Sequence, residues 1–298
     1  MSIGHLAELH LLYSWRGKDF MEQPLLIHIH VPKCAGTTVE KHFAQQLGER
    51  FWVPRKRTRR LPLSLFRRKY RAGLPEHPDQ IKAVSGHFIG KSVEGLFPNR
   101  RIVRSIILRQ PESMMMSYYN FRMMRYLLEG QHAYSFLLFL RATRVNPMAH
   151  FLLERWLELP WIELIRLSEE RKIELLDEAL AEVDYVADIR QADSLIEKVS
   201  AELDIRPVAP RRNAAEEKQV KTGWKILKLE DLTPSEHALL KSRTALDDYL
   251  WKRWVQKDQK AFDRRDQSNF AYSEFVRPRY QVERRIARRF GSPLVSST

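Results

Sequence analysis

The chain has 298 residues and a formal charge of +14, with 51 Lys and Arg against 37 Asp and Glu. Hydrophobic residues make up 44% and charged residues 30%, the balance of a folded soluble protein rather than a disordered one. The one cysteine, Cys34, excludes an intramolecular disulfide and a cysteine-rich zinc site. No apolar run approaches the roughly 18 residues of a membrane span, and the N-terminus lacks the pattern of a signal peptide. We therefore expect no transmembrane segment and a cytoplasmic protein.

The positive charge is distributed unevenly along the chain. Nine basic residues and no acid lie between Arg55 and Arg71, and four arginines lie between Arg284 and Arg289. Such fields attract polyanions, for example nucleic acid, an anionic membrane or an acidic polysaccharide. A solvated basic face is the alternative interpretation.

Short apolar runs alternate with stretches of helical periodicity. The runs predict strands at residues 25–31, 81–85, 101–108 and 185–189. Helices are predicted at residues 37–47, 112–128, 134–159, 168–183, 194–203 and 233–254. The stretch 54–78 is predicted as a loop or irregular helices, and the tail after Lys257 has weak periodicity. Strands that alternate with helices indicate an α/β domain with a central parallel sheet flanked by helices.

The first strand is followed by the sequence Pro-Lys-Cys-Ala-Gly-Thr-Thr, which opens the first helix. The small residues Ala35 and Gly36 let the backbone curl around an anion, and the N–H groups at the start of the helix point at it. Lys33 adds a positive charge. Thr37 and Thr38 are candidate helix caps whose hydroxyls would also meet the ligand. Because ligands bind at the carboxyl ends of parallel strands, this segment predicts a phosphate cradle.

The segment differs from the phosphate loop of nucleotide triphosphatases, G-x-x-x-x-G-K-[ST], in which lysine follows the second glycine. Here Lys33 precedes Gly36 by three residues. No aspartate follows a strand in an obvious magnesium-holding position, so we expect the ligand to be held without a metal.

The order Pro-Lys-x-x-Gly-Thr-Thr after an apolar strand resembles the donor loop of sulfotransferases that use 3'-phosphoadenosine 5'-phosphosulfate (PAPS). A second segment strengthens the resemblance, because Arg109 ends a strand and Ser117 lies eight residues later on the next helix. That is the spacing of the 3'-phosphate site in the family, and the fork of an arginine suits a phosphate. The segment around Gly86 and His87 is similar to one in glycan sulfotransferases. The resemblance covers roughly residues 25–254 and is closest to the branch of heparan sulfate 2-O- and 6-O-sulfotransferases and their bacterial relatives.

The resemblance implies a P-loop-like three-layer fold and transfer of a sulfuryl group from PAPS to an acceptor hydroxyl, with no metal. It implies a sulfotransferase domain at residues 25–256, preceded by an N-terminal extension at 1–24. The basic tail at 257–298 is expected to pack on the domain or to extend from it. The family usually has aspartate at the position of Gln110 and often arginine at the position of Met114, so part of the 3'-phosphate site differs here.

The resemblance also implies roles for individual residues. His87 is expected to take the proton of the acceptor hydroxyl, and Lys33 to stabilise charge on the leaving oxygen. The residues expected to bind the donor are Lys33, Cys34, Ala35, Gly36, Thr37, Thr38, Arg109 and Ser117. Cys34 is expected to be a small loop filler rather than a reactive thiol.

The expected acceptor is a carbohydrate, and the basic field between Arg55 and Arg71 favours an anionic glycan or saccharide. Small alcohols and tyrosyl peptides stay open as acceptors, and no specific nucleic-acid partner is expected. Two other functions compatible with the sequence are a nucleotide-dependent kinase with a degenerate phosphate loop and a non-catalytic basic module that binds polyanions.

Overall fold

A computed structural model describes residues 23–54, 75, 77–208, 219–258 and 270–291. The basic field between Arg55 and Arg71 and most of the expected N-terminal extension lie outside these ranges. Within these ranges, five parallel strands form one sheet, in the order β2-β3-β1-β4-β5. The strands are β1 (Leu25–Ile29), β2 (Phe51–Trp52), β3 (Ala83–Gly86), β4 (Ile102–Leu108) and β5 (Tyr185–Asp188).

Helices flank the sheet, and the predicted α/β architecture is confirmed. They are α1 (Gly36–Leu47), α2 (Pro111–Leu128), α3 (Phe136–Ala142), α4 (Pro147–Phe151), α5 (Trp161–Arg166), α6 (Glu169–Ala181), α7 (Ala192–Glu202), α8 (Pro234–Arg243), α9 (Ala245–Trp254) and α10 (Phe270–Phe290). A π-helical turn, Leu152–Trp156, continues α4. In the described ranges, no helix combines the length and the apolar character needed to cross a membrane.

Strand β1 occupies the centre of the sheet. All five of its residues are buried, and it pairs with β3 on one side and with β4 on the other. The chain passes from β1 through β2 to β3 on one side, then crosses to β4 and β5 on the other. In open parallel sheets the ligand crevice lies at the carboxyl ends of the strands where the order reverses in this way. The loops after β1 and β4 therefore open onto the same crevice.

The four predicted strands are all present, each within two residues of its predicted ends. Strand β2 was not predicted because it has only two residues, too few for a periodic pattern. The predicted face of α1 is also correct, since Val39, Phe43 and Leu47 are all buried.

Two long helices that the sequence predicts as continuous are divided in the structure. Residues 134–159 form α3, α4 and the π-helical turn, because Asn146 takes a left-handed conformation with φ 46° before α4. Residues 233–254 are divided at Thr244, where α8 ends and α9 begins. The Thr244 hydroxyl donates to Leu240 O at 2.9 Å, a local bond that competes with a continuous helix.

The basic tail contains a helix, α10, which its weak periodicity did not predict. Ala287 is buried, and Arg288 O accepts a hydrogen bond from His132 N at 2.9 Å. Glu274 is also buried and accepts from Arg277 Nη2 at 2.6 Å. The bond between His132 and Arg288 attaches α10 to the segment that precedes α3, while the Glu274–Arg277 bond lies within α10.

A buried carboxylate fixes α4 against α9. Asp247 accepts hydrogen bonds from Met148 N at 3.1 Å and Ala149 N at 2.8 Å, and Asn146 Oδ1 accepts from Leu246 N at 3.0 Å. Burial raises the pKa of Asp247 to about 7. Because Met148 Sδ lies 3.9 Å from Cys34 Sγ, this clasp also supports the loop that follows β1.

We predict that Asp247→Ala lowers the free energy of unfolding by about 1–3 kcal/mol, because two buried N–H groups lose their acceptor. Urea unfolding measures this loss. Asp248→Ala is the matched control, since that carboxylate is partly exposed and pairs with Lys252 one turn away. Its cost should stay within about 0.5 kcal/mol. Equal losses for the two variants would show that the clasp contributes nothing.

Candidate functional site

The loop between β1 and α1 contains non-glycine residues in the left-handed backbone region. Lys33 has φ 68° and Ala35 has φ 58°. This region costs a residue with a Cβ about 1–2 kcal/mol, and such strain persists mainly at functional sites. Turns of this kind also direct successive backbone N–H groups into a concavity that suits an anion.

The N-terminus of α1 opens into this loop without a side-chain cap. Ala35 is the cap residue, so the expectation that Thr37 or Thr38 caps the helix is wrong. Thr38 N and Val39 N both donate to Ala35 O, which makes them the first bonds of the helix. The N–H groups of Gly36 and Thr37 precede those bonds and have no carbonyl in their own helix to donate to. The first turn contains no acid, so the positive end of the helix dipole is not neutralised by its own helix.

Arg109 links the end of β4 directly to the loop after β1. Its Nη1 donates to Lys33 O at 3.3 Å, while its Nε and Nη2 donate to Ser113 Oγ at 3.1 and 2.9 Å. Ser113 is therefore the hydroxyl that orients the guanidinium, and sequence reasoning missed it. Ser117 lies one turn further along the same face of α2, which is the only signal that could have found Ser113.

Two positions, Gln110 and Met114, depart from the pattern of the family that the sequence resembles, and both have structural roles here. Gln110 is the cap of α2, and its Oε1 accepts from Ser113 N at 2.7 Å. This is the bond that a shorter carboxylate at a helix start would also accept. Met114 is buried in the hydrophobic core.

The Lys33 side chain lies against α2. Its Nζ is 4.0 Å from the centroid of the Phe121 ring, a distance typical of a cation–π contact. Lys33 and Arg109 thus place two cations at the switch point of the sheet.

Cys34 packs beneath the loop rather than into the crevice. The residue is 1% exposed, its Sγ lies 3.7 Å from Pro32 O, and its N–H donates to Val31 O at 3.3 Å. Burial raises the pKa of the Cys34 thiol, which therefore stays protonated. The Cys34 side chain therefore fills space inside the fold.

Three ionisable side chains form an array between β1, β3 and α1. His30 Nδ1 lies 2.7 Å from Glu40 Oε1, and the Ser85 hydroxyl donates to the same oxygen at 3.1 Å. Burial is the largest single effect and would raise the pKa of Glu40, but the hydrogen bonds from His30 and Ser85 and the charges of His30 and His87 together outweigh it, so the pKa is lowered. The ring of His87 lies over that of His30, with centroids 3.8 Å apart. Sequence reasoning missed Glu40, although it lies one helical turn after Gly36.

His87 is exposed and has a defined tautomer. Its Nδ1 lies 3.0 Å from His30 O, and a carbonyl can only accept, so Nδ1 carries the proton. Nε2 is then the atom with a free lone pair. Desolvation by the surrounding protein and the adjacent His30 lower the pKa of His87, so the imidazole is neutral at pH 7.

Gly36 is required because the His30 ring leaves no room for a side chain. A Cβ at position 36 would lie 1.9 Å from Cδ2 of His30 and 2.3 Å from its Nε2. The backbone of Gly36, the first residue of α1, is therefore in direct contact with the ring of His30, which follows β1.

The structure thus brings Lys33, Gly36 and Arg109 to one crevice, with His87 at the adjacent strand end. No group of three or more His, Cys, Asp or Glu side chains within the described ranges could hold a metal ion. Asp188 is an aspartate at the end of a strand, β5, and its carboxylate is occupied by protein donors: it accepts hydrogen bonds from Trp251 Nε1 at 2.9 Å and from Arg190 Nε at 2.6 Å.

No protein-family model matches this chain, and no curated protein matches it. The solved structures include a sulfotransferase from Alicyclobacillus acidocaldarius that overlaps 79% of this chain and 96% of its own. The sequence identity is 12% and the TM-score is 0.42. A likeness this distant assigns no activity, so the function proposed below depends on the described side chains.

We predict that Gly36→Ala lowers the free energy of unfolding by about 1–3 kcal/mol, because the new methyl group displaces the His30 ring. Gly95→Ala is the control, since a Cβ at position 95 meets no atom within 4 Å. In the double variant His30→Ala/Gly36→Ala the ring is gone, so the loss should be smaller than the sum of the two single losses. Chemical denaturation of the four variants measures this coupling, and additive losses would contradict it.

Proposed function

We propose that this protein is a sulfotransferase that moves the sulfuryl group of PAPS to an acceptor hydroxyl. One observation carries the proposal: Arg109 donates to the main-chain carbonyl of Lys33, which holds the guanidinium beside an uncapped helix N-terminus at the switch point of the sheet, while the Lys33 ammonium lies over the Phe121 ring of α2. PAPS carries anionic groups at both its 5' and its 3' ends. Two separated cations and a helix dipole match that distribution of charge.

The proposed donor contacts come from the loop between β1 and α1 and from the first turn of α1. The N–H groups of Gly36 and Thr37, with the hydroxyls of Thr37 and Thr38, face the phosphosulfate. Lys33 neutralises its charge. Ala35 contributes the left-handed turn, and Cys34 contributes only packing, because both its thiol and its N–H are engaged elsewhere.

Arg109 is proposed to bind the 3'-phosphate. Ser113 orients its guanidinium, and Ser117 adds a hydroxyl one turn along α2. This contact fixes the register of the donor and hence the position of its sulfur atom.

The proposed chemistry uses His87 as the base. An acceptor oxygen forms its bond to sulfur as the bond between sulfur and the leaving phosphate oxygen breaks, and Nε2 of His87 takes the acceptor proton. Lys33 and the loop N–H groups stabilise the charge on the leaving oxygen. His30 and Glu40 are positioning residues, because the His30 carbonyl fixes the tautomer of His87 and Glu40 holds the His30 ring.

The acceptor is proposed to be a carbohydrate, as the basic field between Arg55 and Arg71 suggested. That field lies outside the described residues. Membership of the heparan sulfate branch and a cytoplasmic location stay predictions.

We predict that 3'-phosphoadenosine 5'-phosphate raises the melting temperature without magnesium, and that Arg109→Ala weakens its binding about tenfold or more through loss of a charge-assisted contact. Adenosine 5'-phosphate, which lacks the 3'-phosphate, should bind the parent and the variant equally. Thermal shift and titration calorimetry measure both effects. Stabilisation only by ATP with magnesium would identify a kinase instead, and stabilisation only by polyanions would identify a binding module.

We predict that His87→Ala lowers turnover by about 10²- to 10⁴-fold and leaves donor affinity unchanged. Since the neutral imidazole is the active form and its pKa is lowered, activity of the parent should rise with pH through an apparent pKa below the ordinary value of about 6.5. This limb of the pH–rate profile should vanish in the variant. His237→Ala, which removes an exposed histidine from α8, is the control. Turnover of His87→Ala within about tenfold of the parent would make His87 a structural residue.

A further inference from the structure

A cavity of about 320 Å³ adjoins the loop that follows β1. Val31 and Pro32 form one wall, directly before Lys33. The other walls come from α2, from the segment 142–155 and from α10. No residue with a proposed role in donor binding or proton transfer lines this cavity, so it is a second feature beside the crevice.

The polar part of the wall is strongly basic. It contains five arginines and one carboxylate, Glu154; the arginines are Arg122, Arg144, Arg155, Arg277 and Arg284. Arg144 is paired with Glu154, and Arg277 donates to Glu274 at 2.6 Å. Within the described part of the chain, these two carboxylates cannot neutralise five guanidinium groups. The wall therefore favours a ligand with negative charge.

Buried polar atoms in the wall point to the same conclusion. Thr143 Oγ1, Arg155 Nη1 and Arg277 Nε are buried and meet no hydrogen-bond partner among the described residues. Thr143 is only 7% exposed. All three atoms can donate a hydrogen bond, and none of them adds negative charge to the wall.

The wall also contains apolar side chains, namely Val31, Met114, Pro147, Met148 and Phe151. Cavities of about 300–1,000 Å³ are typical of small-molecule sites, and this one is at the lower end of that range. It admits one compact molecule with an apolar body rather than a length of hydrated polymer.

We infer that this cavity is a separate binding site for a compact amphipathic anion, namely an apolar body that bears a carboxylate, sulfate or phosphate. The inference goes beyond the proposed function, because none of the residues proposed to hold the donor or to move the acceptor proton lines the cavity. Arg122 and Arg284 bind the acidic group from α2 and α10, while Met114 and Phe151 contact the apolar body. A glycan would satisfy the charge but would leave the apolar surface without a matching group.

The test is a calorimetric titration of the full chain with 4-hydroxyphenylacetate and with its methyl ester, which has the same aromatic body without the charge. The acid should bind about tenfold or more tightly than the ester, since one charge-assisted contact supplies at least that factor. Arg284→Gln and Arg122→Gln should each weaken the acid about tenfold and leave the ester unchanged. Arg285→Gln makes the same charge change at the next residue, which is exposed, and should have no effect.

Equal affinity for the acid and the ester would overturn the inference, as would an affinity for the acid that both cavity variants leave intact. Binding of a sulfated tetrasaccharide that depends on Arg284, with no binding of the acid, would overturn it in favour of a glycan. No donor is present in the titration, so it is independent of the donor assignment. If the acid binds as expected while 3'-phosphoadenosine 5'-phosphate does not bind, the preference of the cavity stands and sulfuryl transfer alone is refuted.

Discussion

The pairing of β1 with β3 on one edge and β4 on the other determines where every candidate functional group lies. Because the three strands are parallel and adjacent, their carboxyl ends meet at one place, and a different chemical group follows each strand. The loop with Lys33 follows β1, His87 follows β3 and Arg109 follows β4. The sheet thus fixes the backbone positions of these residues, and α2 orients two of their side chains through Ser113 and Phe121.

Much of this arrangement could be predicted from the sequence because it depends on local patterns. Apolar runs predicted the strands, and small residues before a helix predicted the loop around Gly36. The contacts that complete the site join residues far apart in the chain, such as Asp247 with Met148, and no local pattern records them. The break at Thr244 was missed for a similar reason, because a side-chain hydrogen bond and contacts with the Asn146 turn override helix propensity there.

The arginine cavity illustrates the same limit. The sequence marks the arginines between Arg284 and Arg289 as one basic field, but in the structure Arg284 lines a cavity while Arg285 is exposed. Consecutive residues of a helix lie about 100° apart around its axis, so adjacent arginines lie on different surfaces of the protein. The other residues of the wall come from α2 and from the segment 142–155, and no local pattern indicates that these segments meet α10.

The contact between the His30 ring and the backbone of Gly36 restricts what substitution can do at this site. A larger residue at position 36 displaces the His30 ring or requires a smaller residue at position 30, and a smaller residue there leaves Ser85 as the remaining donor described for the Glu40 carboxylate. His87 would also lose its ring contact with His30. Positions 30, 36, 40 and 87 are therefore constrained to vary together, so the evolutionary path away from this arrangement passes through intermediates in which several groups fail at once.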